Sequence, residues 1–276
     1  MQIDTPAKAI LFSTVRLEIE TQGERSYGTA VMYRRGTSAH DVFFVTCRHV
    51  VEGSLRGHLF FTRASRRTAA VGDRVQLTIE DFETKWFFHP NDNIDIAIAP
   101  FSIGQRNPQE RIPVYFQALD KAALPTAQIL RGFDAIEEVV FIGYPAGYYD
   151  RVNLLPIARR GITASPIYLD YNGRQEFLID GAVYFGSSGG PVFIIRPLSA
   201  LEQLRTLRKY RFIFLGIVSE LWRATFTGET SFIHPIATSE GVASARLLNL
   251  GVVLKAHLIE ETIDAYQQGA SSTLNQ

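Results

Sequence analysis

The amino-acid sequence predicts an all-β protein of two domains, on three observations. Short β-branched and aromatic runs, separated by Gly, Pro, Asn or Asp, recur through most of the chain. Helical periodicity is confined to two segments. The length, 276 residues, suits two β domains with cores of ordinary size.

The runs, in order, are AILFSTVRLEI (9–19), YGTAVMY (27–33), DVFFVTC (41–47), HLFFT (58–62), RVQLTI (74–79), IDIAIA (94–99), EVVFIGY (138–144), QEFLIDGAVY (175–184), PVFII (191–195) and FIFLGIVS (212–219). Between the sixth and seventh, GQRNPQERIPVYFQALDKAALP (104–125) has no clean period and holds three prolines, so it reads as the connection between halves. The domains are therefore placed at 9–125 and 126–268. One helix is expected over 199–209, where Ser199 and Glu202 fit a capping box after Pro197 and leucines recur at 201, 204 and 207. The other is expected over 253–268, followed by a polar tail, 269–276, without ordered structure.

Lys and Arg balance Asp and Glu at 28 each, which argues against a general binder of nucleic acid or anionic membrane. The first residues do not have the basic, apolar and small-residue pattern of a signal peptide, and no apolar run is long enough to span a bilayer. Cys47 is the only cysteine, so no intrachain disulfide forms and a cytoplasmic location is expected.

The chemistry centres on YFGSSGGPVF (184–193). Gly, Ser and Pro make turns, but a serine in such a turn is also a candidate nucleophile if the chain supplies a base and a carboxylate to orient it. Of six histidines, at 40, 49, 58, 89, 234 and 257, His49 stands apart because it follows the buried-strand run FFVTC and sits where that strand ends. In NIDIAIAP, Ile94, Ile96 and Ile98 share one face while Asp95, Ala97 and Ala99 share the other, so both faces are apolar and Asp95 needs a buried partner. A histidine Nδ1–H serves. The candidate order is His49, Asp95, Ser188.

With these residues in that order, the sequence resembles the chymotrypsin/trypsin-like serine proteases. VTCRHVVEG, NIDIAI and DGAVYFGSSGGPVF are similar to the family's three catalytic stretches, with GTAV (28–31) and GIVSE (216–220) at further strands. IGYPAG (142–147), RGITASP (160–166) and LGVVLKAHLIEETI (250–263) look like the bacterial HtrA-like, disulfide-free branch. The resemblance implies two packed six-stranded antiparallel β-barrels with a short inserted helix and a C-terminal helix. It implies an endopeptidase that binds a polypeptide in extended form and uses no cofactor or metal. Ser188 would attack, His49 would move the proton, Asp95 would orient His49, and the N–H groups of Gly186 and Ser188 would hold the oxyanion. Ala182, Val183 and Tyr184 would wall the specificity pocket, and Ser219 and Glu220 would pair with substrate.

Cys47 and Arg48 depart from the family, which has small residues there, and no peptide-binding PDZ domain is expected. The pocket wall carries no carboxylate, so a small or medium apolar residue is expected before the scissile bond, with Glu220 near the mouth as the counter-indication. Ser187 stands where secreted relatives carry an aspartate that pairs with a freed N-terminus, so activation by N-terminal cleavage is not expected.

Three other readings compete. GSSGG also fits the G-x-S-x-G elbow of serine esterases, but that motif needs a following helix and a later histidine, His234 or His257, whereas Pro191 and VFII follow here. A catalytically silent trypsin fold that binds peptides or partners is the second. The third is a metal site at His89, Asp92 and Asp95, or at Cys47 and His49, which lacks C-x-x-C or H-E-x-x-H pairing. Arg205, Arg208 and Lys209 read as a solvated helix face.

Overall fold

The computed structural model of the protein describes residues 3–38, 41–66, 68–104, 113–198, 200, 203, 210–224, 230–233 and 246–274. It is mostly β, in two sheets. The first holds β1 Thr14–Glu20, β2 Arg25–Arg34, β3 Val42–Thr46, β4 Arg56–Ser65, β5 Thr68–Glu80, β6 Phe87–Phe88, β7 Ala97–Pro100, β8 Val114–Tyr115 and β9 Leu119–Asp120. Its order is β5-β4-β1-β2-β3-β7-β6, with β8 on β4 and a parallel β9 on β2. All five residues of β3 are buried, as its unbroken VFFVT run requires, whereas β5 on the edge exposes most of one face.

The second sheet holds β10 Glu138–Gly143, β11 Ile157–Thr163, β12 Glu176–Gly181, β13 Pro191–Pro197, β14 Tyr210–Ala224, β15 Thr230–Ile233 and β16 Arg246–Lys255. Six of these run β13-β10-β11-β12-β16-β14, and a β13–β14 pairing closes them into an antiparallel barrel, which leaves no open edge on that path. β15 extends from β14. The all-β class holds. The first sheet, however, has nine strands rather than six, because three two-residue strands join it: β6, and β8 and β9 from the supposed linker 104–125.

Other expectations move by a few residues for local reasons. The run at 9–19 begins as a strand only at Thr14, because Thr5 caps a one-turn helix, α1 Pro6–Ile10, with proline at its first position. Asp95 precedes β7 instead of lying in it. β11 was not foreseen. The one-turn helices α2 Arg48–Val51 and α3 Ala127–Arg131 are likewise new. The helix expected over 199–209 lies largely outside the described residues. The terminal helix, α4 His257–Leu274, starts later than expected because Val252, Val253 and Leu254 complete β16. It also runs through most of the supposed tail, since the remaining residues only have to propagate a helix already nucleated.

The principal core is not confined to one sheet. Val31, Phe44 and Ile98 of the first sheet share a buried cluster with Ile142, Phe193, Phe214 and Leu254 of the barrel, while Phe141, Phe177, Ile179 and Val253 form a second cluster inside the barrel. α4 crosses back onto the first sheet: Leu258, Ile259 and Ile263 join the principal core, and Tyr266 packs edge-on against Phe43 and Phe87, with centroids 5.9 and 5.6 Å apart. Tyr33 Oη donates to Glu260 at 2.5 Å, and Arg35 pairs with both Glu260 and Asp264. The site therefore sits on a seam held from both sides.

Candidate active site

β3 ends at Thr46, and α2 turns the chain so that His49 faces the seam. Asp95 reaches it from a tight turn in which Ile94 N–H donates to Asn91 O at 2.9 Å and His89 N–H to Ile96 O at 3.0 Å. The carboxylate is saturated with donors. Oδ1 accepts His49 N–H at 3.0 Å, and Oδ2 accepts from His49 Nδ1 at 2.7 Å and from Ser219 Oγ at 2.6 Å. Burial alone pushes this carboxyl up, but the His49 hydrogen bond and charge, with the Ser219 hydroxyl and the His49 amide, more than offset it and hold Asp95 below its ordinary value. The pairing holds the imidazole with Nδ1 toward Asp95 and leaves Nε2 as the nitrogen for proton transfer.

Ser188 is buried on the opposite wall, and its Oγ donates to Ser219 O at 3.0 Å. Backbone hydrogen bonds tie down the turn around it. Ser187 N–H donates to Tyr184 O at 3.0 Å, Gly189 N–H to Val218 O at 2.7 Å and Gly190 N–H to Ser187 O at 2.8 Å. Thr29 N–H of β2 donates to Ser188 O at 2.9 Å. Among the described residues, the buried N–H groups of Gly186 and Ser188 donate to no protein acceptor. Phe185 O accepts from Ala146 N–H, so in the trans peptide the Gly186 N–H points away from that contact. Gly186 and Gly189 adopt φ of +80° and +83°. A Cβ on Gly186 would stand 2.5 Å from Tyr144 O, and one on Gly189 would collide with Thr29 O, so both positions need glycine.

Thr29 is a site residue that the sequence reading left in the core. Its Oγ1 donates to Gly186 O at 2.8 Å and accepts Tyr144 N–H at 3.2 Å, while its carbonyl accepts from Thr46 Oγ1 at 2.7 Å. The signal available was a hydroxyl in an otherwise apolar stretch, AVMY following, which must find a buried partner. Ser219, expected on the strand that pairs with substrate, also donates its hydroxyl to Asp95.

The specificity wall divides. Val183 is core, packed so closely on Gly251 that a Cβ there would come 2.6 Å from Val183 Cγ2. Ala182 is exposed, and Tyr184 is 39% exposed with the Arg159 guanidinium 4.5 Å above its ring. Arg159 also donates to Ala182 O. The Glu220 side chain lies outside the described residues, as does His234. A cleft of about 1140 Å³ opens beside the His49–Asp95 pair, between the Asn91–Asp95 turn and the Gly173–Glu176 turn.

The two departures before His49 are structural. Cys47 is fully buried and its Sγ donates to Val218 O at 3.2 Å; burial first, and then the Asp95 charge, push its thiol well above the ordinary range. Cys47, His49 and Asp95 place ligand-type atoms within 4.8 Å of one another, with Cys47 Sγ hydrogen-bonded to Val218 O and the Asp95 carboxylate to His49 and Ser219. Arg48 lies 4.8 Å over Phe88 and pairs with Asp92 at 2.7 Å and Glu52 at 2.8 Å, tying α2 to the Asp95 turn. His89 is buried with Nδ1 accepting Asn91 N–H at 3.0 Å, which makes it part of that turn's scaffold, and Asp92 belongs to Arg48. Among the described residues, no helix is long and apolar enough to cross a membrane.

A family model described as "Trypsin-like peptidase domain" matches residues 28–195. No curated protein matches the sequence. Among solved structures, the chain is similar to an HtrA-type protease AlgW variant with a tripeptide, at 17% identity and a TM-score of 0.47, covering 92% of this chain and 60% of that one. It is also similar to Rv3671c from M. tuberculosis H37Rv, at 16% identity and TM-score 0.46 over 95% of this chain and 91% of that one. A third is the serine endoprotease from Yersinia pestis, at 15% identity and TM-score 0.45, covering 92% and 62%. The chain thus spans about 60% of the length of the AlgW structure.

Proposed function

Because the chain belongs to the trypsin-like peptidase family, we propose that it is a serine endopeptidase in which Ser188, His49 and Asp95 act as one unit. The observation that carries this reading is the saturated His49–Asp95–Ser219 arrangement facing a turn whose Gly186 and Ser188 N–H groups have no protein acceptor. Ser188 Oγ forms a bond to the substrate carbonyl carbon as His49 Nε2 takes its proton, and the carbonyl π electrons move onto oxygen. The two free N–H groups meet that oxyanion, each donor being worth roughly 3 kcal/mol in such a site. Collapse breaks the C–N bond, and His49 returns the proton to the leaving amine. Water, activated the same way, then releases the acyl group as a carboxylate.

In the resting arrangement the Ser188 hydrogen is directed at Ser219 O. The hydroxyl must turn to His49 for proton transfer, and substrate binding is the natural trigger. The substrate is read as an extended polypeptide. A small or medium apolar residue before the scissile bond fits a wall in which Val183 fills the space against Gly251 and no carboxylate stands at Ala182 or Val183. Activation without N-terminal cleavage is supported by Arg159, which donates to Ala182 O and so orders the approach to the turn with a cation the chain already carries.

The test is covalent labelling. A fluorophosphonate should modify the native protein at Ser188, located by mass spectrometry; Ser188→Ala should abolish the label and His49→Ala should slow it by at least a hundredfold. A folded wild-type protein that takes no label at Ser188 overturns the reading. A peptide library then decides specificity, and strict cleavage after Arg or Lys would contradict the apolar pocket.

A further inference from the structure

The seam between the sheets holds a buried cation that the chemistry above does not use. Arg16 of β1 is only 7% exposed. Its guanidinium faces are covered by the rings of Phe60 and Tyr149, each with its centroid 4.4 Å away, and Tyr27 adds a third ring at 5.9 Å. Nη2 donates to Glu18. Nε and Nη1 are buried and have no partner among the described residues. Rings satisfy the faces of a guanidinium but not its in-plane N–H groups, which need acceptors in the plane.

Arg16 lines a small cavity of about 20 Å³, with Phe60, Arg74, Tyr144, Tyr149 and Leu154 among its neighbours there. The volume suits one atom-sized guest. The charge favours an anion over water. Arg16 and Arg74, the latter 5.3 Å from the Phe60 centroid, bring two positive charges to this wall, and Glu18 answers one of them. A single negative charge completes the balance, and buried charges are tolerated when paired.

We propose that this cavity is a binding site for one small monovalent anion of chloride size, held by Arg16 Nε and Nη1. The site clamps the two halves of the molecule, since Arg16 and Phe60 belong to the first sheet while Tyr144, Tyr149 and Leu154 follow β10 of the barrel. A chain of contacts also joins it to the nucleophile turn, starting from Arg16 and Tyr27. Tyr27 packs on Gly147, where a Cβ would come 3.0 Å from the ring, and the neighbouring Ala146 N–H donates to Phe185 O.

The test uses the full chain and bromide as a visible substitute. Crystals grown in sodium bromide and measured at the bromine edge should give an anomalous peak within hydrogen-bond distance of Arg16 Nε or Nη1. In solution, the thermal midpoint should rise saturably with sodium chloride relative to sodium gluconate at matched ionic strength, and Arg16→Met should remove that difference. Should Arg16→Met not fold, Arg74→Gln, at an exposed position, should weaken the chloride dependence at least threefold. Water density at the site, or a peak accompanied by identical midpoints in the two salts, would overturn the proposal; the latter would mean an adventitious ion only.

Discussion

Asp95 receives three hydrogen bonds from two residues, and only one of them comes from the imidazole it orients. The Ser219 hydroxyl and the His49 amide therefore fix the carboxylate independently of the ring. Ser219→Ala removes one bond to a charged group, worth about 1.5–3 kcal/mol. It should lower kcat/KM roughly ten- to a hundredfold without changing KM much, as steady-state kinetics on a peptide substrate would reveal. The same carboxyl carries a pH signature. Its folded value lies below the unfolded one, so its stabilisation is complete above an ordinary carboxyl value of about 4 and disappears as pH falls through the lower folded value. The gap in unfolding free energy between wild type and Asp95→Asn should thus shrink steadily below about pH 4, which urea melts across pH would detect; a constant gap would contradict the assignment. Cys47, buried with a raised thiol, should resist iodoacetamide in the native state and react only on unfolding.

Among the elements, β2 is the one whose role in the site was least visible in advance. It supplies Thr29, which holds Ser188 O, Gly186 O and Tyr144 N–H together from the other sheet. Thr29→Val keeps the shape and leaves Gly186 O without its donor, at a cost of about 1–3 kcal/mol in stability. Fluorophosphonate labelling of Ser188 should slow in parallel. Most strands were legible because runs such as VFFVT and EVVFIG are buried on both faces and need no context. β11 was not, because its IARRGIT holds two arginines and a glycine, and Arg159 is drawn inward only by the Ala182 carbonyl and the Tyr184 ring far along the chain. His49, Asp95 and Ser188 were legible for a different reason: each sits at an element end marked by a buried run or by glycines. The partners of these residues were hidden, since Thr29 to Gly186 spans 157 positions and Ser219 to Asp95 spans 124.

On the scale of the whole molecule, the two sheets share one principal core, and α4 of the second half covers the first. Deleting buried methyl groups there should be felt by both. Ile263→Ala should cost about 2–5 kcal/mol and shift a single cooperative unfolding transition. Calorimetry that resolved two transitions, only one of them shifted, would contradict the shared core. The crossing of α4 also orders events in time. A ribosome releases every strand of the first sheet long before it releases Ile259 and Ile263, and chains fold from the N-terminus as they emerge. Until those residues arrive, the surface around Phe43 and Phe87 has no cover, and Tyr33 and Arg35 have no Glu260 to meet. The first half of the molecule is thus finished only by the last element of the second to emerge.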